Sequence, residues 1–374
     1  MSLDPIRGGG TAERTFQLSR ALAGRGIENA VLTMDVGLTP KRREAMETAG
    51  VTVTALTCLY ERFYLPRFSW RRILDIVGRA DIIHLMGYWT FINALVYQAS
   101  RSLGKPYVVC PAGALPLFGR SVLMKGLYNL VLGRRMIRNA AGHIAITSDE
   151  AVQFSAYGID RKQITVIPNG IGGDEFLRYD ETAFRQRHGL ASHPFILFMG
   201  RLNPIKGPDL LLRAFCALGV QRGEYRLVFA GPDEGMLPML REIAASHQLQ
   251  ERILFTGYLG GADKASAYRA SSFLAVPSRQ EAMSIVALEA GIVGKPVLIT
   301  DRCGFAEVAL CRGGMMVPAS VDGLRGGLEM MLNNPDELKT MGESLREYVT
   351  EHFTWGVISD KYIKLYEQIL AGTG

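Results

Sequence analysis

Short runs of apolar and β-branched residues recur along the whole chain, separated by stretches whose apolar positions fall three and four apart. In the first half the runs lie at 29–34 (NAVLTM), 51–56 (VTVTAL), 81–86 (DIIHLM), 107–110 (YVVC), 143–147 (HIAIT) and 163–167 (QITVI). The second half repeats them at 195–199 (FILFM), 226–230 (RLVFA), 252–256 (RILFT), 272–276 (SFLAV), 296–300 (PVLIT) and 314–317 (GMMV). Near-continuous apolar runs of this length read as strands covered on both faces. The intervening stretches read as helices. In 11–24, for example, Leu18, Ala21 and Leu22 share one face, and Gly24 and Gly26 mark the end. Further helices are predicted at 335–352 and 355–370. Two successions of strand–helix units predict an α/β chain of two doubly wound Rossmann-like domains, each with a parallel sheet. The Gly- and acid-rich stretch 168–183 reads as the linker.

Length agrees with that division, since 374 residues at roughly 150 per domain give two cores. A hydrophobic fraction of 48% excludes a disordered or fibrous chain. No apolar run reaches the ~18 residues that span a bilayer. The start, MSLDPIRGGG, is not apolar, and no signal peptide is expected. The five cysteines (Cys58, Cys110, Cys216, Cys303, Cys311) show neither C-x-x-C nor metal spacing, so reduced thiols in the cytoplasm are expected. The net charge of +6 is uneven: residues 1–180 carry 22 Lys/Arg against 15 Asp/Glu, and residues 181–374 carry 20 against 21. Nucleic acid, an anionic membrane face or an anionic substrate would each account for a basic first half, as would a plain solvated surface.

The start of the chain departs from the pattern. A glycine-rich loop that opens a helix normally follows a strand, which is usually central to the sheet. Only MSLDPIR precedes Gly8 here, so the first strand is expected to be missing, through truncation or a mis-assigned start. The alternative is that a few N-terminal residues pair weakly.

Three stretches carry candidate chemistry. Gly8-Gly9-Gly10 lets the backbone approach a phosphate at a helix start, or makes a tight turn. With Glu13 where a third glycine belongs, it is not the dinucleotide fingerprint. In Gly200-Arg201-Leu202-Asn203-Pro204-Ile205-Lys206-Gly207, the arginine leaves a strand at its carboxyl end, where ligands bind in such sheets. Arg201 as a fork and Lys206 as a point charge can close on a diphosphate; the alternative is two solvated charges. In Ser278 to Ala290, Glu281 lies in a loop and Glu289 on the helix beginning near Ser284. Carboxylates accept from neighbouring sugar hydroxyls, and the N–H groups of Ser284, Ile285 and Val286 would face a phosphate. Either acid alone would be unremarkable on a helix.

Taken in order, GGGTAERTFQLSRALAGRGIE, DIIHLMGYW, KPYVVCPAGAL, IPNGI, GRLNPIKGPDLLLRAF, VFAGPDEG, FTGYL, PSRQEAMSIVALEA, GKPVLITDRCGFAEV and FTWGVISDKY make the chain resemble the retaining glycosyltransferases of family 4, which have the GT-B fold. The resemblance covers nearly the whole chain. It implies an acceptor-side domain over 1–178, completed by a final helix crossing back (355–374), and a nucleotide-sugar domain over 179–354, with the active site in the cleft between them. It also implies roles. Arg201 and Lys206 would hold the donor diphosphate, Glu281 the sugar hydroxyls and Glu289 the ribose. Gly9 and Gly10 would approach the phosphate, and Tyr258 and Leu259 would flank the base. Two positions depart from the family's pattern: Met283-Ser284 stands where Phe-Gly is frequent, and Ala112 where a histidine is frequent. His84 and Trp89, at another strand end, are candidate acceptor-side residues; a packed strand histidine and a core-covering tryptophan are the alternatives.

The implied reaction transfers a sugar from a nucleotide-diphosphate sugar, UDP favoured, with retention at the anomeric carbon. The acceptor would be a polysaccharide, lipopolysaccharide or lipid-linked glycan. Arg201, Lys206 and a helix N-terminus can meet the leaving charge without metal, and the chain contains no D-x-D triplet. No cofactor and no nucleic acid are expected. A sugar-nucleotide 2-epimerase of similar fold and a non-catalytic nucleotide-sugar binder remain as rivals. The segments around Arg67, Arg71 and Arg72, and 119–140 with Arg120, Lys125, Arg134, Arg135 and Arg138, mix cations with apolar residues. They read either as membrane-surface helices or as core-facing helices with a solvated face.

Overall fold

In a computed structural model, which describes residues 2–4, 8–61, 64–116 and 122–372, fourteen strands form among the described residues. The first eight are β1 (Asn29–Met34), β2 (Val51–Leu56), β3 (Cys58–Tyr60), β4 (Leu65–Pro66), β5 (Ile83–Met86), β6 (Tyr107–Cys110), β7 (Gly142–Ala145) and β8 (Ile164–Val166). The others are β9 (Phe195–Met199), β10 (Arg226–Ala230), β11 (Ile253–Gly257), β12 (Phe273–Val276), β13 (Val297–Thr300) and β14 (Gly314–Val317). The chain divides into two units, Met1–Gly170 with Trp355–Gly374, and Ile171–Thr354.

In the first unit β5-β6-β7-β8 make one parallel sheet, and β1 and β2 pair in parallel separately. One continuous sheet was expected. Among the described residues, what stands beside β1 ahead of Gly8 is a single parallel bridge from Ser2 to Met34. Leu3 is fully buried with Phe16, Met46, Val51 and Val53, so the short lead-in packs where a strand would, without continuing the ladder. The antiparallel pair β3–β4 was not foreseen, because its strands have three and two residues, too short for a periodic signal.

Two distant helices close this unit. The first helix (Gly9–Gly24) packs against the last (Trp355–Ala371) around Arg14, whose side chain is almost fully enclosed. Arg14 donates to the Ile167 carbonyl at 2.8 Å, to Asn169 Oδ1 and to the Tyr362 hydroxyl. Burial opposes the guanidinium charge, but Tyr362, then Cys110 and Glu150, keep its pKa raised.

The second unit is one six-stranded parallel sheet in the order β11-β10-β9-β12-β13-β14. Its interior is aliphatic and aromatic, with Phe195, Phe215, Phe229 and Phe273 at zero exposure. From β9 the chain winds outward through β10 and β11, then returns to place β12 on the other side of β9. The loops that leave β9 and β12 therefore diverge at the topological switch, where open α/β sheets bind ligands.

Candidate donor site

Both candidate loops of the second unit start at that switch. The β9 loop ends at Gly207, the N-cap of the helix Pro208–Ala217, with φ +67°. A Cβ there would stand 2.2 Å from the Pro277 carbonyl oxygen, so only glycine lets the two loops approach. Gly304, after β13, repeats the device: φ is +59° and a Cβ would stand 2.0 Å from the Ala282 oxygen. Arg279 clamps the β12 loop to the β9 side, donating to both Asp209 carboxylate oxygens at 2.8 and 2.6 Å and to the Pro204 carbonyl. Burial works against the Asp209 carboxylate, but the guanidinium outweighs it and holds its pKa below the usual value.

Lys206 and Glu281 meet on this frame, with Nζ 2.6 Å from Oε1. The Glu281 side chain is 7% exposed, and the same oxygen accepts from Ser278 Oγ. Backbone bonds from Glu281 to the Arg302 carbonyl and from Ser284 to the Cys303 carbonyl hold the loop down (2.8 and 3.0 Å). Arg201 points the other way: Nη1 donates to Glu234 at 2.9 Å, and Asn203 holds the second oxygen of that carboxylate at 2.7 Å. The two cations of the β9 loop are thus both present, each held by its own acid.

Ser284 occupies the N-cap position of the helix Ile285–Ile292. Its hydroxyl is enclosed and has no hydrogen-bond partner among the described residues, and it makes no side-chain cap. Glu289, on the same helix, accepts from Lys264 Nζ at 3.0 Å and from the Tyr268 hydroxyl at 2.7 Å. Burial, reinforced by that carboxylate, raises the Tyr268 pKa well above its ordinary value. Tyr258 is exposed beyond β11, whereas the side chain of Leu259 is buried. Cys303 lies beneath the loops, its thiol pushed up to about 12 by burial and then by Glu281.

In the first unit Gly9 begins the first helix at φ +53°, with open space where a Cβ would stand. Gly10 is exposed, while Gly8 is the crowded member. His84 is packed rather than open. Nδ1 lies 2.8 Å from the Tyr366 hydroxyl, and the ring sits against Tyr362 of the last helix. Burial, then Arg14, depress its pKa to about 3. Trp89 donates from Nε1 to the Ala114 carbonyl and meets Tyr88 and Tyr128 edge-on, so it covers core. Ala112 turns the β6 loop at φ +53°, and the buried Glu150 accepts from the Gly113 amide at 2.5 Å.

The sequence reading passed over Asn203, Asp209, Glu234, Lys264, Tyr268 and Ser278. Asn203 and Glu234 follow strand ends, a signal available in the sequence. Lys264 and Tyr268 lie on the helix Gly261–Ala270, where nothing local marks them.

The sequence profile of the Glycosyl transferases group 1 family matches residues 180–348, and that of the Glycosyl transferase 4-like domain matches residues 9–170. A D-inositol 3-phosphate glycosyltransferase of Nocardia farcinica is 31% identical over 312 residues, covering 79% of this chain and 68% of the relative. A protein of the same name from Actinosynnema mirum is 34% identical over 352 residues, covering 85% and 79%. The crystal structure of Anabaena HepE, in complex with UDP and glucose, matches with a TM-score of 0.79 at 18% identity over 98% of both chains. The chain belongs to the group 1 glycosyltransferases, and its fold is GT-B. No described helix is long and apolar enough to cross a membrane.

Proposed function

We propose that the chain transfers a hexosyl group from a UDP-sugar, with retention, to a hydroxyl of a polysaccharide, lipopolysaccharide or lipid-linked acceptor at the inner face of a membrane. The observation that carries the reading is the pairing of Lys206 with Glu281 at the switch point, beside the helix start at Ser284. HepE's complex with UDP supports uridine as the base. In this reading Arg201 and Lys206 take the diphosphate, exchanging their carboxylate partners for phosphate oxygens, and the N–H groups of Ile285 and Val286 add to them, whereas the Ser284 N–H, expected to join them, is already given to the Cys303 carbonyl. Glu281 accepts from the sugar hydroxyls and Glu289 from the ribose. Tyr258 flanks the base.

The bond from the anomeric carbon to the diphosphate oxygen breaks as the acceptor oxygen bonds to the same face. The acceptor proton passes to the departing phosphate oxygen. Fixed cations and the helix N-terminus stabilise the growing charge, so no divalent metal is required. The test is UDP release from a panel of UDP-sugars with and without acceptors, with chelator present. Transfer product under chelator, with unchanged anomeric configuration, is expected. Activity lost to chelator and restored by Mn²⁺ would refute metal independence. An epimerised donor formed without acceptor would favour the epimerase reading. Binding without turnover would make the chain a binder.

A further inference from the structure

Within the second unit, four cations line a cleft of about 230 Å³: Arg269, Lys295, Lys339 and Arg346, against the two acids Glu181 and Glu343. Lys295 shortly precedes β13, and Arg269 lies on the helix that leads into β12 (Gly261–Ala270). The cleft therefore sits at the amino ends of the strands, whereas the loops carrying Lys206, Glu281 and Ser284 leave their carboxyl ends.

A close crossing of two helices shapes it. The helix Ile285–Ile292 runs into a turn where Gly294 takes φ +76°. The helix Pro335–Phe353 crosses that turn at Gly342, where a Cβ would stand 2.1 Å from the Gly294 carbonyl oxygen. Lys339 and Arg346 flank Gly342 by three and four residues, so all three share one face of the helix.

The cations are not spent on holding the fold together. None of the six charged side chains forms an ion pair among the described residues. The carbonyls at the end of the helix Ile285–Ile292 do not call for the Lys295 ammonium, because the Gly294 and Lys295 amides already donate to Gly291 and Ala290 at 2.8 and 2.9 Å. Arg269 is held from behind: Nε donates to the Phe176 carbonyl at 3.2 Å, and the guanidinium lies 4.1 Å over the Tyr179 ring. Its Nη atoms have no partner among the described residues. Burial lowers the Lys295 pKa; Glu181 opposes this, and Arg185 and Arg269 add to it. A surplus of two positive charges thus faces one concave site, which concentrates anions there. Guanidinium groups offer paired, directed N–H donors and ammonium groups an undirected charge, and together they suit the oxygens of a phosphate. A phosphate monoester carries about two negative charges at neutral pH, matching the surplus.

We propose that this cleft binds a small soluble anion through a phosphate group, at a site separate from the donor loops. The proposal does not rest on the transferase reading. The test is hydrogen exchange of the full chain with and without inorganic pyrophosphate at constant ionic strength. Slower exchange over 291–296 and 336–346 is expected, whatever happens at 200–207 and 278–290, which report the donor loops. Lys339→Gln with Arg346→Gln, both at exposed positions, should raise the pyrophosphate concentration needed for that protection by about tenfold or more. Lys295→Gln should do the same by itself, and neither variant should alter the response of the donor loops. Citrate at the same concentration should protect far less. Protection confined to the donor loops, or equal protection of the wild type and both variants, overturns the proposal. Equal protection by citrate overturns its assignment to phosphate.

Discussion

Replacing Arg14 tests what ties the last helix to the first unit. The guanidinium is 1% exposed and holds three acceptors 153, 155 and 348 residues away along the chain. Arg14→Met keeps most of the volume but removes the hydrogen bonds that Arg14 gives to the Ile167 carbonyl and the Asn169 side-chain oxygen. Each costs about 1–3 kcal/mol, while the Tyr362 hydroxyl can turn elsewhere. Relief from burying a charge returns part of this, for a net loss of ~3 kcal/mol. Arg14→Ala adds a cavity and reaches about 4–5 kcal/mol. At about 2–4 °C per kcal/mol for a unit of this size, Arg14→Met lowers the melting point of the first unit by about 6–12 °C. Calorimetry of the full chain reads this, and hydrogen exchange over Trp355–Ala371 should speed up well before exchange within the second unit. Tyr362→Phe, which removes one acceptor, should cost only about 1 kcal/mol. A melting point for Arg14→Ala within about 1 °C of wild type, with unchanged exchange in the last helix, would refute the reasoning, because buried acceptors cannot lose their donor without cost.

Three further outcomes are expected. Arg201→Ala and Lys206→Ala should each lower kcat/KM for the donor by about 100-fold or more; the melting point should move little for Arg201→Ala, whose ion pair is exposed, and fall for Lys206→Ala, which leaves the enclosed Glu281 carboxylate without its cation, and unchanged turnover in both would remove their proposed roles. Gly207→Ala forces a Cβ to 2.2 Å from a carbonyl oxygen at φ +67°, so a loss of about 2–3 kcal/mol is expected, together with weaker UDP binding by calorimetry. His84, with a folded pKa of about 3, stays neutral where the unfolded chain takes up a proton, so its contribution to stability falls as the pH drops from about 6.5 towards 3. The deficit approaches about 2 kcal/mol at pH 5. Glu150, whose carboxyl pKa is raised chiefly by burial, acts with the opposite slope above its ordinary value, so the comparison must be wild type against His84→Gln. Urea midpoints that shift equally with pH in both proteins would show that His84 is not the group responsible.

Local pattern was enough for the elements themselves. The runs NAVLTM, VTVTAL, YVVC, FILFM, RLVFA and GMMV form strands over the same residues, because an apolar run bounded by glycine, proline or charge has few other ways to satisfy its backbone. The candidate donor loops were legible for the same reason: they leave strand ends, and their glycines sit where a Cβ would meet a carbonyl. Pairing was not legible. The separation of β1–β2 from β5–β8 depends on what lies between strands in space, which no window of sequence contains. Arg14 in a polar first helix looks solvated until Tyr362 arrives from the far end of the chain, and Lys264 looks like any helix lysine until Glu289 faces it. The stretch 119–140 showed cations among leucines and left two orientations open. Arg120 lies outside the described residues; for the rest, tertiary structure decided, because Asn129 and Gly133 fit under Tyr88 and the leucines do not. Sequence fixes the period of a helix, but the shape of the surface it lies on chooses which side meets water.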